Sequence, residues 1–160
     1  MRFFDKFKKK NNDNSFRVKD KTFDIKYAYL DAFINSEKNQ LVFGLQIEAE
    51  EKDNLFCGND LLFNSEILLK IEACEIQKWQ DIAGKTVEWE EYPEDEEEPH
   101  TLFYVSEHEE FHNAKVEFNN INGKIVVKVS ALVDINADDD FSDNLPLEIE
   151  TKVDFFWNFL

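Results

Sequence analysis

The chain has 160 residues, 42% hydrophobic and 14% aromatic, enough for one domain with a buried core and too apolar for a disordered acidic tail. A formal net charge of -17 excludes nucleic acid as a direct ligand and favours encounter with cationic partners. No apolar run approaches the roughly 18 residues that a spanning helix needs, so no stable membrane insertion is expected.

The first 21 residues hold eight basic side chains against three acids, leaving 10 of the 18 basics and 32 of the 35 acids for the remainder. The sequence thus divides into a basic N-terminal segment, 1–21, and a single acidic β-rich domain, 22–160. The start, MRFFDKFKKKNND, has no continuous apolar stretch and no small-residue cleavage site, so it is not read as a signal peptide. Phe3, Phe4 and Phe7 could form one face of a short helix, but three rings are too few for a stable membrane anchor. The lysines beside them balance the acidic body. The only cysteines, Cys57 and Cys74, stand in no CxxC or Cys/His cluster and are expected to be reduced, so a cytoplasmic location is the expectation.

Phe23, Ile25, Tyr27 and Tyr29 alternate as in a strand, whereas Tyr29/Phe33 and Leu30/Ile34 have helical spacing, so a switch of type is expected near Tyr27. Leu41 to Ala49 is a period-2 strand, 51–60 a loop, and Ile67 to Ala73 a further alternation. Gln80 to Gly84 reads as one helical turn stopped by glycine, and Thr86 to Trp89 as a short strand. Leu102 to Val105 is a short apolar run. Ala114 to Phe118 and Ile125 to Ile135 flank an Asn-Gly turn, and Leu147 to Phe155 alternates towards an apolar C-terminus that packs as a strand or latch. The fold expected is mainly β, α+β at most: an antiparallel sheet closed as a sandwich or partial barrel, with one or two short helices.

Between Glu88 and Glu98 stand eight acids and no lysine or arginine: Glu88, Glu90, Glu91, Glu94, Asp95, Glu96, Glu97 and Glu98. Trp89 and Tyr92 are interleaved with them, and Pro93 and Pro99 stiffen the densest part, which lowers the entropy cost of binding. A second acidic stretch carries Asp138, Asp139 and Asp140 without the spacing of an EF-hand loop. These two runs are the candidate partner-binding surface.

His108-Glu109-Glu110-Phe111-His112 matches the zinc-hydrolase pattern, in which a helix brings two histidines to one metal and the glutamate serves as base. Flanks that alternate like strands leave room for about one helical turn, so a strand end with two exposed histidines is expected there, and the small zinc hydrolase remains the alternative. No P-loop, GxGxxG or GxSxG occurs, and no cofactor or catalytic residue is assigned.

A small acidic β-rich domain with a short basic start and acid-plus-aromatic loops resembles the immunity proteins of bacterial polymorphic-toxin systems. The resemblance is one of layout and carries no residue over by position. It implies a protein without catalysis of its own that binds a cognate basic toxin domain, nuclease-type above all, and covers its active surface. A β-rich accessory or scaffold module is the third reading.

Overall fold

A computed structural model of the chain describes residues 14–37, 39–56, 58–70, 79–89, 101–105, 107–109, 111–135 and 143–157. They form eleven strands: β1 Ser15–Val18, β2 Lys21–Asn35, β3 Gln40–Glu50, β4 Leu61–Lys70, β5 Thr86–Trp89, β6 Thr101–Val105, β7 Glu107–Glu109, β8 Phe111–Ile121, β9 Lys124–Val133, β10 Leu145–Lys152 and β11 Asp154–Trp157. Among the described residues the one helical element is a 3-10 turn, Trp79–Ile82, and no helix is long and apolar enough to cross a membrane. Gly84 follows the 3-10 turn at φ +84, the left-handed position glycine occupies without strain.

The strands run β5-β8-β9-β10-β1-β2-β3-β4-β6-β7, each antiparallel to its neighbours, and β11 adds a parallel pairing to β2. β7 lies at one end of this order and β8 next to the other, yet one residue separates them in the chain. That connection requires the sheet to curl, and the result is a half-barrel. Of the two architectures expected from sequence, the partly closed barrel is the one formed.

Alternation explains which face lies inside. In β10 the pattern from Leu145 to Lys152 buries every second residue, as a half-buried strand must. Eight phenylalanines are essentially inaccessible: Phe16, Phe23, Phe43, Phe56, Phe63, Phe103, Phe111 and Phe118. Each contributes about 1.5–3 kcal/mol by leaving water. Phe16 of β1 and Phe103 of β6 are distant in the strand order, but their rings stack at 6.4 Å across the interior, so aromatic packing holds the curl from within. The Asn122-Gly123 turn between β8 and β9 takes positive φ at both residues (54° and 80°), the geometry that matches strand twist in a two-residue hairpin.

Two features depart from the sequence reading. The folded unit begins ahead of residue 22, because β1 lies between β10 and β2 with Phe16 and Val18 fully buried. The segment around Tyr29 to Ile34 is strand throughout, not helix. Ile25 pairs with Ala49 and Tyr27 with Glu48, so Lys26 is an extra residue, a β-bulge. The bulge shifts the phase of alternation: Phe23 and Ile25 face the core before it, Ala28, Leu30 and Ala32 after it. Beyond the bulge β2 carries apolar side chains on both faces, and residues four apart, Tyr29/Phe33 and Leu30/Ile34, satisfy helical spacing as well as one strand face.

The end of β1 positions β11. Asn14 Oδ1 accepts hydrogen bonds from Thr151 Oγ1 (2.9 Å) and from the Lys152 amide (3.3 Å), where β1 gives out beside β10. β10 is parallel to β2 with β1 between them. Beyond the first residue of β1, the continuation of β10, β11, pairs directly with β2, from Asp154 beside Tyr29 to Trp157 beside Ala32.

Candidate functional site

Of the acidic runs, the structure describes the roots. Glu88 is exposed on β5 opposite Lys115, and Trp89 pairs in register with Ala114. Glu90, Glu91, Tyr92, Glu94, Asp95, Glu96, Glu97, Glu98 and Asp138, Asp139, Asp140 lie outside the described residues. Register nevertheless locates where both runs begin. Ala114 is three residues into β8, and the first residue of β8, Phe111, pairs with Val133 at the close of β9. Val133 in turn pairs with Leu145 at the start of β10. The chain therefore leaves β5 and β9 at the same end of the sheet. Asp134 is anchored there, its Oδ2 3.2 Å from His112 Nε2 and its Oδ1 accepting the Asn144 amide at 2.7 Å.

The HEEFH letters do not fold as the helix that a zinc site of this type needs. His108 and Glu109 belong to β7, where they pair with Tyr104 and Phe103, while Phe111 and His112 open β8. Glu109 is 1% exposed, so its carboxylate lies in the wall of the barrel and not on an open helical face. His112 is half-buried beside Asp134, where sequence had suggested an exposed histidine. A bulge at Asn113 (φ 48) lets Phe111 and Ala114 both face inward with His112 on the other side. No group of three or more His, Cys, Asp or Glu suited to a metal occurs among the described residues.

The structure brings together a second surface, on the outer side of β2, β3 and β11. The outer row of β2 is Tyr27, Tyr29, Asp31 and Phe33, and their partners on β3 are Glu48, Gln46, Gly44 and Val42. Tyr27 and Tyr29 stack at 5.5 Å, and Phe156 of β11 meets Tyr29 edge-on at 5.7 Å. Tyr27, Phe33 and Phe156 are exposed by 38%, 47% and 58%, more than large apolar side chains usually are on a finished surface.

Polar contacts fix this row. The Tyr27 hydroxyl donates to Glu48 Oε2 at 2.6 Å, and that bond, with burial and the Glu48 charge, pushes the phenol up to about 12. The Tyr29 hydroxyl donates to Gln46 Oε1, and its phenol is raised by burial and then by the charge of Asp31. The bulge residue Lys26 reaches both Glu48 and Asp60, each at 2.6 Å. Hydrogen bonds to Asp60 and Glu48 hold the Lys26 ammonium above its ordinary range. The same bond to Lys26, with the Glu51 amide, holds Asp60 below the usual carboxylate range. The bulge therefore ties the 51–60 loop to the edge of the aromatic row.

Sequence reasoning missed this surface because it ended the strand near Tyr27 and read Tyr29 and Phe33 as helically spaced. The signal was present in the segment from Tyr27 to Phe33: aromatic residues at odd positions and Ala28, Leu30 and Ala32 at even ones. A strand apolar on both faces has one face more than a half-barrel interior can bury.

Fold and surface together define a β half-barrel with an aromatic, acid-bearing flank and two acidic runs rooted at one end. No family model matches the chain, and neither curated proteins nor solved structures yield a match.

Proposed function

We propose that this protein is a binding protein without catalysis of its own, an inhibitor of the immunity type that neutralises a basic toxin domain by covering its working surface. The observation that carries the reading is the shared root of the two acidic runs: Trp89 on β5 and Asp134 after β9 leave the sheet at one end. Two acidic runs that start from one end of the sheet are suited to occupying a cationic surface, their carboxylates standing in for the phosphates of a nucleic-acid substrate. The net charge of -17 speeds that encounter, and aromatic side chains supply the contact area that charge alone does not.

The test is to look for a basic toxin domain encoded beside the gene and to measure growth rescue when the two are expressed together; absence of any such neighbour would count against the reading. The unaltered chain restores growth, and binding weakens steeply as salt rises. Replacing Glu94 to Glu98 with serine and Trp89 with alanine is expected to abolish rescue while the fold persists. Full rescue by that variant would remove the acidic runs from the mechanism.

A further inference from the structure

On the outer flank of β2 a carboxylate is framed by rings. Tyr29, Asp31 and Phe33 occupy alternate positions of one strand face, so their side chains follow one another at about 7 Å. Phe156 is in register with Asp31 on the adjacent β11 and packs edge-on against Tyr29. On the other side Asp31 faces Gly44 of β3. A Cβ at Gly44 would overlap Asp31 Oδ1, so the glycine provides the space in which the carboxylate lies. Gly44 is not among the residues at positive φ, and this clearance is the physical reason for a glycine in the middle of a strand. Among the described residues no lysine or arginine is ion-paired with Asp31, whereas Lys26 is engaged by Glu48 and Asp60 and Lys52 by Asp24.

We propose that Asp31, framed by Tyr29, Phe33 and Phe156, is the receptor for an arginine side chain presented by a cationic partner segment. A guanidinium is planar and weakly hydrated, so it can pair with the carboxylate through two N–H donors while lying against an aromatic face. Charge complementarity selects this occupant. The carboxylate of Asp154, beside Tyr29, extends the negative potential along the row, in a chain of net charge -17. The site uses β2, β3 and β11 and none of the two acidic runs, so it stands independently of the toxin reading.

The experiment titrates the full chain with a blocked tetra-arginine peptide, with tetra-lysine and tetra-glutamate peptides as comparisons. Amide chemical shifts are followed by two-dimensional NMR. Saturable shifts centred on Asp31, Phe33 and Phe156 are expected, stronger for arginine than for lysine and absent for glutamate. Asp31→Asn and Phe156→Ala should each weaken arginine binding about fivefold or more. Gly44→Ala displaces the carboxylate and should weaken binding while the thermal midpoint stays close to that of the parent, which separates loss of the site from loss of the fold. Shifts spread evenly over the acidic surface, or unchanged affinity in Asp31→Asn, would overturn the proposal. So would binding that emerges only after residues 1–13 are deleted, which would make the chain's own basic start the occupant. Concentration-dependent dimerisation through the same residues would likewise replace the cationic partner with a second copy.

Discussion

The two outer flanks of the half-barrel are made from the same alternating strands but finished with different chemistry. On β8, β9, β10 and β1 the outward side chains pair by charge: Lys115 with Glu117, Lys128 with Glu150 and Arg17 with Glu148. On β2, β3 and β11 the outward row is Tyr27, Tyr29, Phe33 and Phe156 with Glu48 and Asp31 among them. The first flank carries ion pairs across its middle, and its one exposed large apolar side chain among the described residues is Ile121 at the tip of β8. The second leaves rings in water, an arrangement that costs solubility unless something is to cover it. Charge alone therefore does not single out the contact surface of this acidic protein. The combination of charge with unburied aromatic area does.

The largest expected effect comes from removing the rings that join β11 to the aromatic flank. Tyr29→Ala combined with Phe156→Ala should lower unfolding free energy by about 1–3 kcal/mol, from the edge-to-face pair and the lost apolar contact. Urea denaturation measures it. A loss below about 0.5 kcal/mol would mean that the rings only decorate the strand and that backbone pairing alone holds β11.

Next comes Tyr27, where pH isolates one bond. Its folded phenol is raised to about 12 by the hydrogen bond to Glu48, against about 10 in an unfolded chain. A raised value means that the neutral form is the one the fold favours. The stabilisation is therefore fully present below pH 10 and lost as pH rises from about 10 to about 12. Tyr27→Phe should be less stable than the parent at pH 8, and the gap should close across that window. A gap unchanged by pH would assign the cost to packing instead of to the hydrogen bond.

How much of the molecule was legible in its letters depended on whether the physical cause is periodic. β9 was readable because its alternation from Ile125 to Val133 comes after an Asn-Gly turn whose positive φ values the residue types foretell. The bulge at Lys26 was not, because one inserted residue leaves no mark in composition and alters only the phase of the residues after it. Phe16 and Val18 were assigned to a basic segment because Arg17, Lys19 and Lys21 surround them; Arg17 is on the outer face of β1, Lys19 is in the turn after it and Lys21 opens β2, while Phe16 and Val18 are core. The HEEFH letters were legible as strand because their flanks alternate, and β7 and β8 are the strands formed there; only the burial of Glu109 and the pairing of His112 with Asp134 escaped the reading. For the candidate site, the acidic runs were legible as composition, and the structure adds the common end from which they start. The Asp31 site was invisible, because the clearance at Gly44 exists only once β2 and β3 are in register.

A smaller effect is expected at the bulge. Asp60 is held below the usual carboxylate range by Lys26, so its contribution is present above about pH 4 and is lost as pH falls through its lowered value. Lys26→Met should destabilise the protein at neutral pH and shift its acid unfolding to higher pH. The parent and variant should converge once Asp60 is protonated in both. Persistent separation at the acid extreme would show that the lysine stem, and not the ion pair, secures the 51–60 loop.

The smallest effect belongs to the charge-paired flank, and its smallness is what gives the comparison its force. The Arg17 and Glu148 side chains are about half exposed, 50% and 55%, so water screens their attraction and ordering two long side chains offsets much of what remains. Arg17→Ala should change stability by no more than about 0.5 kcal/mol, and a double-mutant cycle with Glu148→Ala should give a coupling no larger than about 1 kcal/mol, falling with salt. Arginine binding at Asp31 should be unaffected by either change, since β1 and β10 carry none of the residues that frame it. If Arg17→Ala instead weakened peptide binding as much as Asp31→Asn, the peptide would be responding to the field of the whole molecule. Recognition would then reside in net charge, and the aromatic flank would have no privileged role.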